Sequence, residues 1–73
     1  MDQLREIVAR VFDIPVEKVT DDLSREKFEM WTSLNHLLLV SEIEMEMGVE
    51  FTSDEVLKIT NFKELREIVS KKR

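Results

Sequence analysis

Apolar residues spaced three and four positions apart are the feature that most constrains the fold of this chain. In the first segment they are Leu4, Ile7, Val8, Val11 and Phe12. On an α-helix this spacing gathers the side chains on one face, whereas a β-strand would require strict alternation. The pattern therefore predicts an amphipathic helix from about Asp2 to Phe12, and Pro15 prevents it from continuing far.

A second helix is predicted from Ser33 to about Met47, where Gly48 is a suitable C-cap and Ser33 a suitable N-cap. Its core face carries Leu39, Val40, Ile43 and Met47. The roughly opposite face carries Leu34, Leu38, Ser41 and Met45. Glu42, Glu44 and Glu46 lie between the two faces. A helix that is apolar on two sides is central to its fold or binds a partner.

Two further helices follow, over about residues 53–58 and 62–70. Thr52 and Glu55 have the spacing of a capping box before the short third helix, and Asn61 and Glu64 resemble the same device before the fourth. The chain has 73 residues with a single Gly, a single Pro and no Cys. This composition favours one small all-α domain over residues 1–73 without disulfides. The fold expected is a bundle of three longer helices and one short third helix.

The connection between the first two helices, from Asp13 to Thr32, is long for a compact domain. It contains a short turn candidate over residues 15–19. It also contains four spaced apolar anchors expected to hold it against the bundle, namely Leu23, Phe28, Met30 and Trp31.

The formal charge of −5, from 16 acidic and 11 basic residues, disfavours nucleic acid and anionic membranes and favours basic partners. No apolar run approaches the roughly 20 residues that span a bilayer. The N-terminal residues lack the apolar core of a signal peptide. We therefore expect no membrane insertion and a cytoplasmic location.

Neither catalysis nor metal binding is expected. Ser33 and His36, the only histidine, are one helical turn apart, but a nucleophile also requires an orienting acid, an oxyanion site and a cleft. His36 is expected at the helix surface or beside a group attached to Ser33. The carboxylates of Glu42, Glu44 and Glu46 point in different directions on a helix, so they predict a solvated acidic flank.

The sequence Trp31-Thr32-Ser33-Leu34 opens the second helix. A serine in this position is exposed, and the local N–H groups and helix dipole favour an attached anion such as a phosphodiester. Taken alone, the motif indicates no more than an ordinary helix cap.

The order of motifs is more specific. Residues 13–24, Asp-Ile-Pro-Val-Glu-Lys-Val-Thr-Asp-Asp-Leu-Ser, follow the first helix. Ser33-Leu34 then opens a long helix with three glutamates, and Val49-Glu50-Phe51 leads to the third helix. Ile59-Thr60-Asn61-Phe62 precedes the last one. Over nearly its whole length the chain resembles the acyl carrier protein family of phosphopantetheine-binding carriers.

This resemblance implies a four-helix fold and a 4′-phosphopantetheine arm, derived from coenzyme A, on Ser33. The arm would carry acyl or aminoacyl groups as thioesters, which makes the chain a discrete carrier and not an enzyme. The partners implied are a phosphopantetheinyl transferase and the enzymes that load and process the acyl group. They would dock on the second helix of a monomeric carrier, at Leu34, Leu38, Ser41, Glu44 and Met45.

Several positions depart from the family pattern. Thr32 stands where the family usually has Asp, and Met30 stands where Gly is frequent. With Trp31 directly before Thr32 and Ser33, the chain resembles a subgroup of stand-alone carriers that have a Trp-Asp-Ser-Leu motif. Asn35 and Leu38 replace acids common in fatty-acid carriers. These departures favour a specialised lipid, polyketide or other secondary pathway.

Two alternatives remain open from the sequence. The first is a protein-interaction module that keeps the carrier fold, has no working arm and tolerates Ser33→Ala. The second is a generic helical bundle, which leaves the long connection and the order of motifs unexplained.

Overall fold

The computed structural model describes residues 2–72. Its helices are α1 (Gln3–Phe12), α2 (Ser33–Met47), α3 (Ser53–Lys58) and α4 (Phe62–Lys72). A single 3-10 turn, Val16–Lys18, interrupts the long connection between α1 and α2. No strand occurs in the described part of the chain, so the predicted all-α fold with three longer helices and one short helix is confirmed.

The ends of α1 are capped by its own sequence. The Asp2 carboxylate accepts a hydrogen bond from the backbone N–H of Arg5 at 3.3 Å. At the other end Asp13 adopts a left-handed conformation with φ of 56°, and its N–H bonds to the carbonyls of Ala9 and Arg10. The chain therefore leaves the helix at Asp13, two residues before Pro15. This agrees with the predicted end at Phe12.

The caps of α3 and α4 differ in completeness. At α3 the predicted capping box is confirmed, because the Thr52 hydroxyl accepts from Glu55 N–H at 3.1 Å and the Glu55 carboxylate accepts from Thr52 N–H at 2.9 Å. At α4 only half of the device forms. Asn61 accepts from the N–H of Glu64 at 2.8 Å, but the Glu64 carboxylate is bonded to the Thr60 hydroxyl.

The last helix extends to Lys72, beyond the predicted end at Ser70. Lysine in the final turn is favoured by the helix dipole. Lys72 also forms an ion pair with Glu55 over 2.7 Å, which ties the end of α4 to α3.

The core lies where the apolar faces of α1, α2 and α4 meet. The largest fully buried side chains are Phe12, Phe62, Ile7, Leu39, Ile43, Ile59, Leu65, Val8 and Val19. The predicted core face of α2 is confirmed, since Leu39, Val40 and Ile43 are buried and Met47 packs against the core.

Three of the four anchors predicted in the connection pack against this core: Trp31 is buried, and Leu23 and Phe28 are partly buried. The fourth prediction is wrong, because Met30 leaves 48% of its surface exposed. The next residue, Trp31, occupies the core position beside Phe12, and the two ring centroids are 5.2 Å apart.

Backbone hydrogen bonds join the connection to the segment before α4. The N–H of Arg25 donates to the carbonyl of Thr60 at 3.0 Å, and the N–H of Phe62 donates to the carbonyl of Leu23 at 2.9 Å. On the other side, the Arg5 guanidinium donates to the carbonyls of Val16 and Val19, both at 3.0 Å. The long connection is thus held by α1 at residues 16–19 and by the segment before α4 at residues 23–25.

Candidate functional site

The head of α2 is capped by Thr32. The Thr32 hydroxyl accepts a hydrogen bond from the backbone N–H of Asn35 at 3.1 Å. Thr32 has an extended backbone (φ −80°, ψ 171°), and Ser33 is the first helical residue. The prediction that Ser33 caps the helix is therefore wrong. Thr32 and Ser33 are adjacent and both can cap, but only the residue with non-helical backbone can reach the N–H groups of the first turn.

This arrangement leaves the Ser33 side chain available. Ser33 is exposed, and no hydrogen bond among residues 2–72 engages its hydroxyl. It lies on one wall of an open cleft with a volume of about 640 Å³. The other residues that line the cleft come from the connection and from the segment before α4: Ser24, Arg25, Glu26, Trp31, Thr32, Thr60 and Asn61.

Arg25 brings a positive charge to this cleft. Its side chain is partly buried, and it forms no ion pair within the described part of the chain. Its backbone is held by the hydrogen bond to Thr60. The head of α2 adds the partial positive charge of its first-turn N–H groups. These two contributions favour an anionic group on the Ser33 hydroxyl, and the exposed Glu26, which lines the same cleft, opposes them.

His36 lies one turn after Ser33 and is buried, with 4% of its surface exposed. Its Nδ1 is 2.9 Å from the indole Nε1 of Trp31, and its Nε2 is 2.9 Å from the carbonyl oxygen of Val56 on α3. The prediction that His36 is a surface residue is wrong. The ring points inward because α2 packs with this side towards Trp31 and α3. Its two nitrogens are used there, so His36 does not activate Ser33.

Burial lowers the pKa of His36 below its ordinary value of 6.5. The bond to the Val56 carbonyl acts in the opposite direction, and the positive charge of Arg25 lowers the pKa further. Removing a charged imidazolium from water is unfavourable, so the neutral ring is the stable form in the fold.

One face of α2 is apolar and exposed, as the sequence predicts. Leu34, Leu38 and Met45 leave 67%, 48% and 73% of their surfaces exposed, and Ser41 lies among them. The sequence analysis missed Leu37, which is 60% exposed on the same face. Its spacing of three residues after Leu34 is the signal that could have found it.

Each of the three glutamates of α2 has a partner within the chain. Glu42 and Glu46 both pair with Arg10 on α1, with Glu42 at 3.7 Å. Glu44 accepts a hydrogen bond from the backbone N–H of Phe51 at 2.9 Å. Glu42 and Glu46 stay in contact with solvent in these pairs, as the predicted solvated flank requires, whereas Glu44 is only partly exposed. Glu44, predicted to contact partners, is thus engaged within the chain.

Within residues 2–72 there is no group of three or more histidine, cysteine or acidic side chains that could hold a metal ion. None of the helices described is long and apolar enough to cross a membrane.

Comparison with known proteins gives this arrangement a context. Residues 2–69 match the family model described as the phosphopantetheine attachment site. The chain is 35% identical over 71 residues to polyketide-8 synthase acyl carrier protein 2 of Streptomyces avermitilis, covering 97% of this chain and 82% of the relative. The solution NMR structure of a holo acyl carrier protein from Geobacter metallireducens superposes with a TM-score of 0.86 at 31% identity. That alignment covers 97% of this chain and 82% of the other.

A four-helix bundle with an exposed serine hydroxyl at the head of its central helix is the architecture of a carrier domain. The chain belongs to the phosphopantetheine-binding acyl carrier protein family. It is a carrier and not a catalyst, and its cofactor is covalently attached 4′-phosphopantetheine. Carriers of this type interact with phosphopantetheinyl transferases and with biosynthetic enzymes. The head of α2 fits the group, because it combines an accessible Ser33 hydroxyl with the cationic Arg25 in one cleft.

Proposed function

We propose that this protein is a discrete carrier, a single domain over residues 1–73, that holds acyl or aminoacyl groups on an arm attached to Ser33. The observation that supports the proposal is the exposed Ser33 hydroxyl at the head of α2, which Thr32 releases from capping. A cytoplasmic location and a monomeric state belong to the same proposal. So does service in a specialised pathway, for which the polyketide name of the Streptomyces relative is the support.

Attachment makes Ser33 the nucleophile. Its Oγ forms the bond to the phosphorus of the phosphopantetheine half of coenzyme A, the pyrophosphate bond breaks, adenosine 3′,5′-bisphosphate leaves, and the hydroxyl proton passes to a base of the transferase. The group supplies a terminal thiol that holds the acyl chain as a thioester. The positive charge of Arg25 and the first-turn N–H groups of α2 would offset the negative charge of a phosphodiester on Ser33.

Partners dock, in this proposal, on the exposed face of α2 beside Ser33. The contact surface is Leu34, Leu38, Ser41 and Met45, with Glu44 at its edge. Leu37 extends the apolar area. An exposed apolar surface of neighbouring side chains is typical of a protein-interaction site. Glu42 and Glu46 share the single cation of Arg10, so net negative charge remains beside this apolar surface for a partner's basic groups.

Intact-mass spectrometry tests the attachment. The purified chain is incubated with coenzyme A and a phosphopantetheinyl transferase, and we expect a mass increase of one phosphopantetheine. Ser33→Ala should abolish it. Ser53→Ala is the matched control, because Ser53 is an exposed serine at the first position of α3, outside the proposed docking surface, and its loss should leave modification unchanged. Absence of a mass change with several transferases, or its persistence in Ser33→Ala, would contradict the proposal.

A second candidate is a carrier-fold interaction module without a working arm. It is favoured by the exposed apolar face of α2 together with the uncharged Thr32 beside Ser33. A pull-down with wild-type protein and with Ser33→Ala separates the two. Capture of the same partner by both forms supports the module, whereas loss of the partner in Ser33→Ala supports the carrier.

A further inference from the structure

Trp31, His36 and the carbonyl of Val56 form a buried hydrogen-bonded chain. It begins two residues before Ser33 and ends on α3. The indole ring of Trp31 also packs against Phe12 of α1. The backbone N–H of Trp31 donates to the carbonyl of Phe28 at 3.0 Å. These contacts fix the backbone segment that leads into Ser33 from three directions.

The two hydrogen bonds define the protonation state of His36. The indole N–H can only donate, so Nδ1 must be the acceptor. The Val56 carbonyl can only accept, so the ring proton must lie on Nε2. Only the neutral Nε2–H tautomer satisfies both partners. A second proton, placed on Nδ1, would point directly at the indole N–H and break that bond.

The surroundings contain little that would stabilise the charged ring. The charged group acting on His36 from the connection is Arg25, which carries the same sign as an imidazolium. On the side of α1, the apolar ring of Phe12 packs against Trp31. On the side of α3, the carbonyl of Val56 faces His36. Burial and Arg25 both lower the pKa of His36, in agreement with the geometry.

We propose that Trp31, His36 and the Val56 carbonyl act as a clasp that positions Ser33 for attachment of the arm, and that protonation of His36 opens it. His36 is then a positioning residue, because it acts on Ser33 through Trp31. The proposal rests on attachment at Ser33. In the neutral form the clasp holds the segment over residues 31–33 in one conformation for the transferase. In the charged form Trp31 loses its acceptor.

The chain offers two single-site probes, since Trp31 is its only tryptophan and His36 its only histidine. NMR signals are recorded against pH. The ring protons of His36 report its protonation, and the indole N–H of Trp31 reports its hydrogen bond. We expect both signals to change with one midpoint that lies below pH 6.5. Two separate midpoints, or an indole signal that does not change while His36 titrates, would overturn the clasp.

Two variants sharpen this test. Trp31→Phe removes the N–H that opposes protonation, so the titration of His36 should move to higher pH. His36→Asn offers an amide oxygen as acceptor to the indole but does not titrate, so the indole signal should lose its pH dependence over this range. Circular dichroism confirms that each variant is folded. An unchanged midpoint in folded Trp31→Phe, or a pH-dependent indole signal in folded His36→Asn, would refute the proposal.

The functional readout is the pH profile of kcat/KM for loading by one transferase, given as the ratio of wild type to His36→Asn. The enzyme's own titration cancels in this ratio. We expect a ratio that is constant above the midpoint and falls by up to about tenfold per pH unit below it, because one proton controls the active form. A flat ratio would contradict the positioning role.

Failure of the proposed function gives a different result. If Ser33 were not the attachment point, Ser33→Ala would still be loaded, whereas the shared midpoint of Trp31 and His36 would remain. If the clasp were wrong, the midpoints would separate while loading on Ser33 continued.

Discussion

The hydroxyl of Thr32 accepts the hydrogen bond of the Asn35 backbone N–H over 3.1 Å, so the residue before Ser33 caps α2. The neighbouring Ser33 therefore occupies the first position of the helix with its own hydroxyl unused. An Asp, common in the family at this position, would make the same bond and add a negative charge. Thr32 keeps the cap and leaves this part of the cleft uncharged.

Removing the cap should destabilise the protein, whereas removing the Ser33 hydroxyl should not. Thr32→Ala is expected to lower the free energy of unfolding by about 1 kcal/mol, as for other helix N-caps. Ser33→Ala should change it by less than about 0.5 kcal/mol, as for an exposed side chain without a partner. Urea denaturation of both variants measures the difference. Thr32→Asp serves as the control that keeps the cap, and a larger loss for Ser33→Ala would contradict the assignment.

The glutamates of α2 should differ in their contribution to stability. Glu44→Ala removes the acceptor of the Phe51 N–H and should cost about 1.5 kcal/mol, the lower part of the range for hydrogen bonds to charged groups. Glu42→Ala removes an exposed ion pair with Arg10 and should cost less than about 1 kcal/mol. Thermal or urea unfolding of the two variants makes the comparison. Equal losses would show that the Glu44 bond contributes no more than a surface ion pair.

The exposed face of α2 should matter for partners and not for folding. Leu34→Ser and Met45→Ser should change the free energy of unfolding by less than about 0.5 kcal/mol, because both side chains are already in solvent. Binding to a partner enzyme, measured by calorimetry, should weaken in both variants. Leu39→Ala is the contrasting variant on the buried face and should cost about 2–5 kcal/mol. Unchanged binding in both surface variants would remove α2 as the docking face.

Stability should fall as the pH drops below 6.5, because the unfolded chain then binds a proton on His36 that the folded chain does not. The folded pKa of His36 is lower than the unfolded value of 6.5. Its contribution is complete above the unfolded pKa and is lost between 6.5 and the folded pKa. Urea denaturation at several pH values measures this slope. His36→Asn should remove it, and a slope that persists in that variant would assign the effect elsewhere.

A second loss of folding stability should occur in more acidic solution. The pKa of Glu55 is lowered from 4.5, chiefly by its hydrogen bond from Lys72, and the pKa of Asp21 is lowered from 3.8, chiefly by Arg66. A carboxylate with a lowered folded pKa stabilises the fold above its unfolded pKa, and this contribution disappears as the pH falls through the folded value. Lys72→Met should reduce this acid-dependent loss without changing the loss near pH 6.5.

Local rules were sufficient for the helices and for most of their ends. The spacing of Leu4, Ile7 and Val8 predicted α1, and the capping box of Thr52 and Glu55 predicted the start of α3. The exposed face of α2 also follows from spacing alone, including Leu37, to which the same rule was not extended. These features depend on interactions within four residues along the chain, which the sequence displays directly.

The Thr32 cap is a local bond to Asn35, but the other sites that the sequence did not predict depend on contacts between different segments of the fold. His36 is buried because Trp31 and Val56 supply partners for both ring nitrogens. Glu44 turns inward because the N–H of Phe51 lies within its reach. Arg25 joins the cleft beside Ser33 because its N–H bonds to Thr60, more than thirty positions along the chain.

The sequence by itself determined the four helices, the motif around Ser33 and the family resemblance, since periodicity, caps and motif order are local properties of the chain. Only the tertiary structure decided that Thr32 caps α2, that Ser33 faces a cleft with Arg25, and that His36 is held neutral beside Trp31. The physical reason is that hydrogen-bond partners and burial are assigned when the segments pack together. Which of two adjacent residues with equal capping ability caps the helix is known only from the folded backbone. Whether the one histidine on a helix with two apolar sides is buried or exposed is likewise decided by packing.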